Sequence, residues 1–159
     1  MSNRPFLAIA SAALLLAVSV SFAQERERGA GQAAEAKALS AIVNGLEDQS
    51  LGTIHDIERE ASHWEVSIAT EDGQLNLRLD PRTGEERGRS TESEREDDLP
   101  PRDAMPLSQV LERVENEHAR GAEIREVEFD DGWWEIELRR EGRKMELDLD
   151  PRTGDRRRA

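Results

Sequence analysis

Residues 63–85 read "HWEVSIATEDGQLNLRLDPRTGE" and residues 133–155 read "WWEIELRREGRKMELDLDPRTGD". In each stretch two alternating runs flank a glycine-containing turn and stop at Asp-Pro-Arg-Thr-Gly. Period-two alternation is the mark of a half-buried strand. Trp64, Val66 and Ile68 therefore share a face, as do Trp134, Ile136 and Leu138. Leu75, Leu77 and Leu79 form the next stripe, matched by Met145, Leu147 and Leu149, and "EDGQ" and "EGRK" are the hairpin turns between. In the shared pentapeptide, proline sets φ for a turn and glycine permits a positive φ, while Asp80, Asp150, Thr83 and Thr153 can bond the turn's own backbone. A calcium loop needs oxygen ligands at alternating positions, where Arg78 and Arg152 stand instead. The motif reads as the stop of a strand.

The duplication extends upstream. "ALSAIVNGLEDQ" (38–49) aligns with "PLSQVLERVENE" (106–117) at an offset of 68, whereas the strand segments align at 70. Leu39, Ile42, Val43 and Leu46 have helical spacing, as do Leu107, Val110, Leu111 and Val114. Between helix and hairpin lies a further strand carrying Ile54 and Ile57, matched by Ile124 and Val127, with Phe129 beyond. Its three-residue apolar step predicts a bulge. The expected fold class is α+β, two tandem units, each one helix packed on a three-stranded antiparallel sheet, at 33–85 and 105–157. Residues 86–104 are almost free of apolar side chains and are expected to be a charged flexible linker. Units this small bury only about 60% of their unfolded surface, so an uncovered sheet face and two edges must pack together or meet partners.

Arg4, the apolar run Phe6–Val20 and the small residues before Gln24 predict a secretory signal over 1–23, cleaved between Ala23 and Gln24. The exported product is expected to be soluble and periplasmic or secreted, and without cysteine it has neither a disulfide nor a cysteine lipid anchor. Loss of Arg4 moves the formal charge from −13 to −14, which disfavours nucleic acid and anionic lipid as partners.

Helix, strand, then "WEIEL" and "MELDLDPRTGD" in this order and spacing resemble PepSY domains, the unit at 105–157 more closely than that at 33–85. The resemblance implies a helix against a three- or four-stranded antiparallel sheet, no catalytic motif, and a role in inhibiting or regulating peptidases or binding other extracytoplasmic partners. No His-Glu-x-x-His occurs in these residues, so a peptidase so regulated would be a separate chain. Nothing in the residues themselves assembles a nucleophile, base and orienter, and no enzyme activity, cofactor or metal is expected. His55 and His63 could approach if their strands pair, but Arg125 and Trp133 replace them in the second copy. Trp133 falls on the face opposite the leucine stripes, with Glu135 and Glu137, at the position His63 holds in the first copy. Trp133, Glu135, Glu137 and His63 are the candidate partner-binding residues, Trp133 being either an anchor for a partner or a cover for a neighbouring surface. The expected function is protein binding in the envelope, as a regulator or inhibitor of a peptidase. The alternatives are an accessory module of an envelope signalling system and an acidic binder of cations or cationic peptides.

Overall fold

The computed structural model describes residues 36–93 and 98–158; the expected signal segment 1–23 lies outside them. Helix α1 (Leu39–Glu47) is followed by strands β1 (Thr53–Arg59), β2 (Trp64–Thr70), β3 (Gly73–Leu79) and β4 (Glu86–Glu92). The second repeat supplies α2 (Leu107–Glu117), β5 (Glu123–Asp130), β6 (Trp133–Arg140) and β7 (Arg143–Leu149). The strands form one antiparallel sheet of seven in the order β4-β3-β2-β1-β5-β6-β7.

This corrects the expected fold class. The repeats are not two α+β units with separate three-stranded sheets, but halves of one mostly β structure. The first strand of each repeat would leave a row of unpaired backbone groups, and β1 and β5 satisfy each other's. They pair antiparallel with Ile57 opposite Val127, its own counterpart 70 residues on. Asp56 opposite Glu128 and Glu58 opposite Glu126 exchange under the same operation, so a local two-fold axis passes through the Ile57–Val127 pair, as in an isologous dimer.

A second correction concerns residues 86–104. Part of this stretch, Glu86–Glu92, is strand β4, paired with β3 from Leu79↔Glu86 to Gln74↔Glu92. β4 is exposed along nearly all its length, so its place is held by the backbone ladder and not by apolar burial. A composition argument, which weighs only side chains, cannot see such a strand.

The helices lie antiparallel to each other over one face of the sheet. Their predicted stripes are all buried, Val43, Val110, Leu111 and Val114 completely, in one core with Trp64, Val66, Leu77, Trp134, Ile136 and Leu147. Neither helix has a side-chain cap of its own, its N-cap being Ala38 or Pro106. The repeats cap each other instead. Glu115 accepts hydrogen bonds from the Ser40 backbone N–H and hydroxyl at the start of α1, and Glu47 accepts one from the Leu107 N–H at the start of α2. Glu47 and Glu115 are themselves counterparts at the helix offset of 68. Carboxylates at helix N-termini satisfy orphan donors and oppose the helix dipole favourably.

The expected bulges occur in both first strands, between Ile54 and Asp56 and between Ile124 and Glu126. The repeated pentapeptide is a strand stop in both copies. Asp80 Oδ1 accepts from the N–H groups of Arg82 (2.8 Å) and Thr83 (2.9 Å), and Asp150 Oδ1 from those of Arg152 (2.8 Å) and Thr153 (3.0 Å). Gly84 and Gly154 take φ values of 73° and 68°, and each donates its N–H to the aspartate carbonyl at 2.8 Å. The turn also ties sheet to helix, because Lys37 N–H donates to the Arg82 carbonyl and Met105 N–H to that of Pro151, both at 2.9 Å just before α1 and α2.

Candidate functional site: the acidic open face of the sheet

Alternation that buries one face of each strand under the helices turns the other residues toward the helix-free face. Cross-strand pairing then aligns them into two rows. One runs Glu65–Glu58–Glu126–Glu137–Glu146 across β2, β1, β5, β6 and β7. The other runs Ser67–Asp56–Glu128–Glu135–Asp148 across the same strands. The local two-fold axis exchanges the rows. Like charges directly opposite one another destabilise a sheet, so a fold that lines up five glutamates bears a cost that the fold alone does not explain.

The electrostatics differ along the rows. At the central seam, partial burial, followed by the neighbouring charges of Glu128, Glu126 and Glu58, pushes the Asp56 carboxyl up to about 7. Glu135 is also raised, first by desolvation and then by Asp148, Asp130, Glu146 and Asp131. Glu137 is lowered, because Lys144 Nζ lies 2.9 Å from its carboxylate and Arg139 Nε 3.2 Å. Lys144 also meets Glu146 at 2.8 Å. Asp56, Glu58, Glu126, Glu135 and Asp148 have no basic ion-pair partner among the described residues. The face therefore carries carboxylates without a basic partner at its centre and at Glu135 and Asp148, while Lys144 and Arg139 offset Glu137 and Glu146 toward β7.

Of the residues singled out from sequence, Trp133, Glu135 and Glu137 stand together at i, i+2 and i+4 on β6, on this face. Trp133 is half-buried, and the Arg157 guanidinium lies over its ring at 5.1 Å, so the chain's own basic tail covers one side of it. His63 does not join them. It lies just before β2, three strands away and at the opposite end of the strands from Trp133, with Nε2 3.5 Å from the Glu65 carboxylate. His55 and His63 are not brought together either, being at opposite ends of the β1–β2 pairing. No group of His, Cys, Asp or Glu among the described residues is arranged to hold a metal ion. Sequence reading missed Asp56, Glu58, Glu126 and Glu128. Their signal is the alternating acid in "HDIERE" and "REVEFD", which becomes a site only once β1 pairs with β5.

A cavity of about 240 Å³ opens on the helix side, lined by Glu47, Ile54, Pro100, Met105, Leu107 and Trp134 among others. Its carboxylate is already engaged as the cap of α2. No helix of the described residues is long and apolar enough to cross a membrane.

No curated protein matches the sequence. Among solved structures, the fold is similar to a crystal structure of a provisionally named lipoprotein from Clostridium difficile 630, at 15% identity and a TM-score of 0.47 over 80% of this chain and 94% of that one. The family described as peptidase propeptide and YPEB domain matches residues 6–87 and 93–158, one match for each repeat. With both halves of its sheet so matched, the chain belongs to the PepSY family.

Proposed function

We propose that this protein is an exported, non-catalytic binding protein that regulates a peptidase of the cell envelope. The observation that carries the reading is the helix-free face on which one row of carboxylates crosses five strands and a second crosses four, a destabilising alignment whose charge suits a basic partner surface. The family's description as a peptidase propeptide supports the choice of a peptidase as that partner. Trp133, flanked by Glu135 and Glu137, supplies an aromatic contact at the edge of the charged field, and His63 marks the equivalent place in the first repeat.

Purified protein added to the peptidase activity of an envelope extract from its source should lower hydrolysis saturably. A Glu58→Gln/Glu126→Gln/Glu135→Gln variant should need about tenfold more protein for the same effect. Unchanged hydrolysis at every concentration would remove peptidase regulation. The same face favours a second reading, a binder of cationic peptides with no peptidase involved, which calorimetric binding of polylysine in the absence of inhibition would support.

A further inference from the structure

The cavity on the helix side lies where the repeats meet, drawing its wall from Glu47 and Ile54 of the first and from Met105, Leu107 and Trp134 of the second. Many of the donors around it are spent. Pro100, Pro101 and Pro106 carry no N–H. The N–H groups of Ala104, Met105 and Leu107 go to the Pro101 carbonyl (2.8 Å), the Pro151 carbonyl (2.9 Å) and the Glu47 carboxylate (2.7 Å). Trp134 is different. It is 2% exposed, and its indole Nε1–H is buried with no hydrogen-bond partner among the described residues. Of the side-chain polar atoms in this wall it alone is in that condition, and Trp64, its counterpart in the first repeat, has no such orphan. Buried N–H groups are nearly always paired, so an orphan beside a cavity calls for an acceptor.

We propose that this cavity is a binding site for a small neutral molecule, an apolar body bearing a carbonyl oxygen that accepts the Trp134 indole N–H. Size sets the first limit. At about 240 Å³ the cavity exceeds the roughly 150 Å³ that admits a benzene-sized guest and falls short of the roughly 300 Å³ at which drug-sized sites begin. Charge sets the second. Glu47 in the wall stands against an anion and Arg102 against a cation, which leaves a neutral acceptor. Ile54, Met105, Leu107 and the indole ring supply contact for the hydrocarbon part. Water held there finds few unspent groups to bond, so its release favours the guest. The cavity is on the opposite side of the sheet from the carboxylate rows, so its occupancy and peptidase regulation stand or fall separately.

Benzamide, benzoate and benzamidine share one shape and offer a neutral acceptor, an anion and a cation, while toluene offers the ring alone. Titrated into the isotope-labelled full chain, benzamide should saturably shift the Trp134 indole N–H resonance and the methyl signals of Ile54, Met105 and Leu107. The indole signals of Trp64 and Trp133 should stay in place. Benzoate, benzamidine and toluene should bind about tenfold more weakly or less. Trp134→Phe, which removes the donor, should weaken benzamide about fivefold to tenfold. Ala104→Leu, at a half-buried lining position, should fill the cavity and abolish binding with circular dichroism and unfolding unchanged, which keeps the test valid if the tryptophan variant does not fold. Benzamide shifts that spare the Trp134 indole, tighter binding of benzoate or benzamidine, or equal binding of toluene would overturn the site. So would no binding by any of the four, which would mean that the cavity holds water only.

Discussion

In the first repeat, a network of neutral side chains ending at one carboxylate ties the open face of the outer strands together. Ser67 Oγ donates to Asn76 Oδ1 at 3.1 Å, Gln74 Nε2 to the same oxygen at 2.8 Å, and Asn76 Nδ2 to Glu92 of β4 at 2.9 Å. In the second repeat the counterparts of Ser67, Gln74 and Asn76 are Glu137, Lys144 and Glu146, and the network has become ionic. The backbone frame is the same in both. What differs is that one half is closed by its own fourth strand and packed with buried amides, while the other remains exposed and charged. Duplication here retained the fold in both copies, while the buried amide network stands in the first alone and the tryptophan at position 133 in the second alone.

The comparison can be broken most forcefully in the core. Trp134 is 2% exposed and meets Phe129 edge-on at 5.3 Å, whereas Trp64 has Arg59 over its ring at 5.4 Å in place of the phenylalanine. Trp134→Ala should cost about 3–5 kcal/mol in denaturant unfolding, and Trp64→Ala should fall at or below the lower end of that range. Equal losses would show that the two aromatic clusters contribute alike.

The seam sharpens it next, through pH. Asp56 has a folded-state pKa of about 7, above its ordinary value of 3.8, so it binds a proton more tightly folded than unfolded. Its contribution is therefore favourable below pH 3.8 and is lost as pH rises from there through about 7. Asp56→Asn should raise stability at pH 8 by about 1–2 kcal/mol, allowing for the carboxyl's remaining contact with water, and should flatten stability over that window. A slope that survives the substitution would contradict the assignment. Asp80 works oppositely: backbone donors from Thr83 and Arg82 hold it at about 2, so its contribution is present above the ordinary value of 3.8 and is lost as pH falls through about 2.

Smaller differences lie in the paired turns. A Cβ on Gly84 would stand 3.0 Å from the Ile42 side chain, while one on Gly154 would meet Arg113 and Met105 no closer than 3.4 Å. Both substitutions incur the positive-φ penalty, so Gly154→Ala should cost about 1 kcal/mol and Gly84→Ala up to about 2 kcal/mol in thermal unfolding. A reversed order would mean that Ile42 yields more readily than Arg113. Smallest of all, Arg157→Ala should cost about 0.5 kcal/mol while making Trp133 measurably easier to quench with acrylamide.

The parts of this fold legible in sequence were those with a local period. The helix stripes, the paired tryptophan and leucine faces, the bulge implied by Ile54 and Ile57, and the Asp-Pro-Arg-Thr-Gly stop depend on residues a few positions apart. The union of the halves does not. It needs the register of β1 on β5, which joins residues 70 apart and places acids opposite acids, a pairing no propensity favours. β4 was illegible for a different reason, since an exposed edge strand is specified by backbone partners. The same division governs the site. Trp133, Glu135 and Glu137 follow from alternation within β6, whereas Asp56 acquires its perturbed carboxyl only from neighbours across the seam.

Native-state hydrogen exchange over the whole chain tests the central claim, one sheet with unequal edges, most directly. The account predicts that the amides of Ile57 and Val127 exchange with the same high protection as the cores of both repeats, that β3 is protected along both its edges, and that outward amides of residues 144–148 exchange freely. Separate protection levels for the two repeats, with an exchanging seam, would contradict the single sheet, and a β7 protected like β3 would contradict the inequality of its edges.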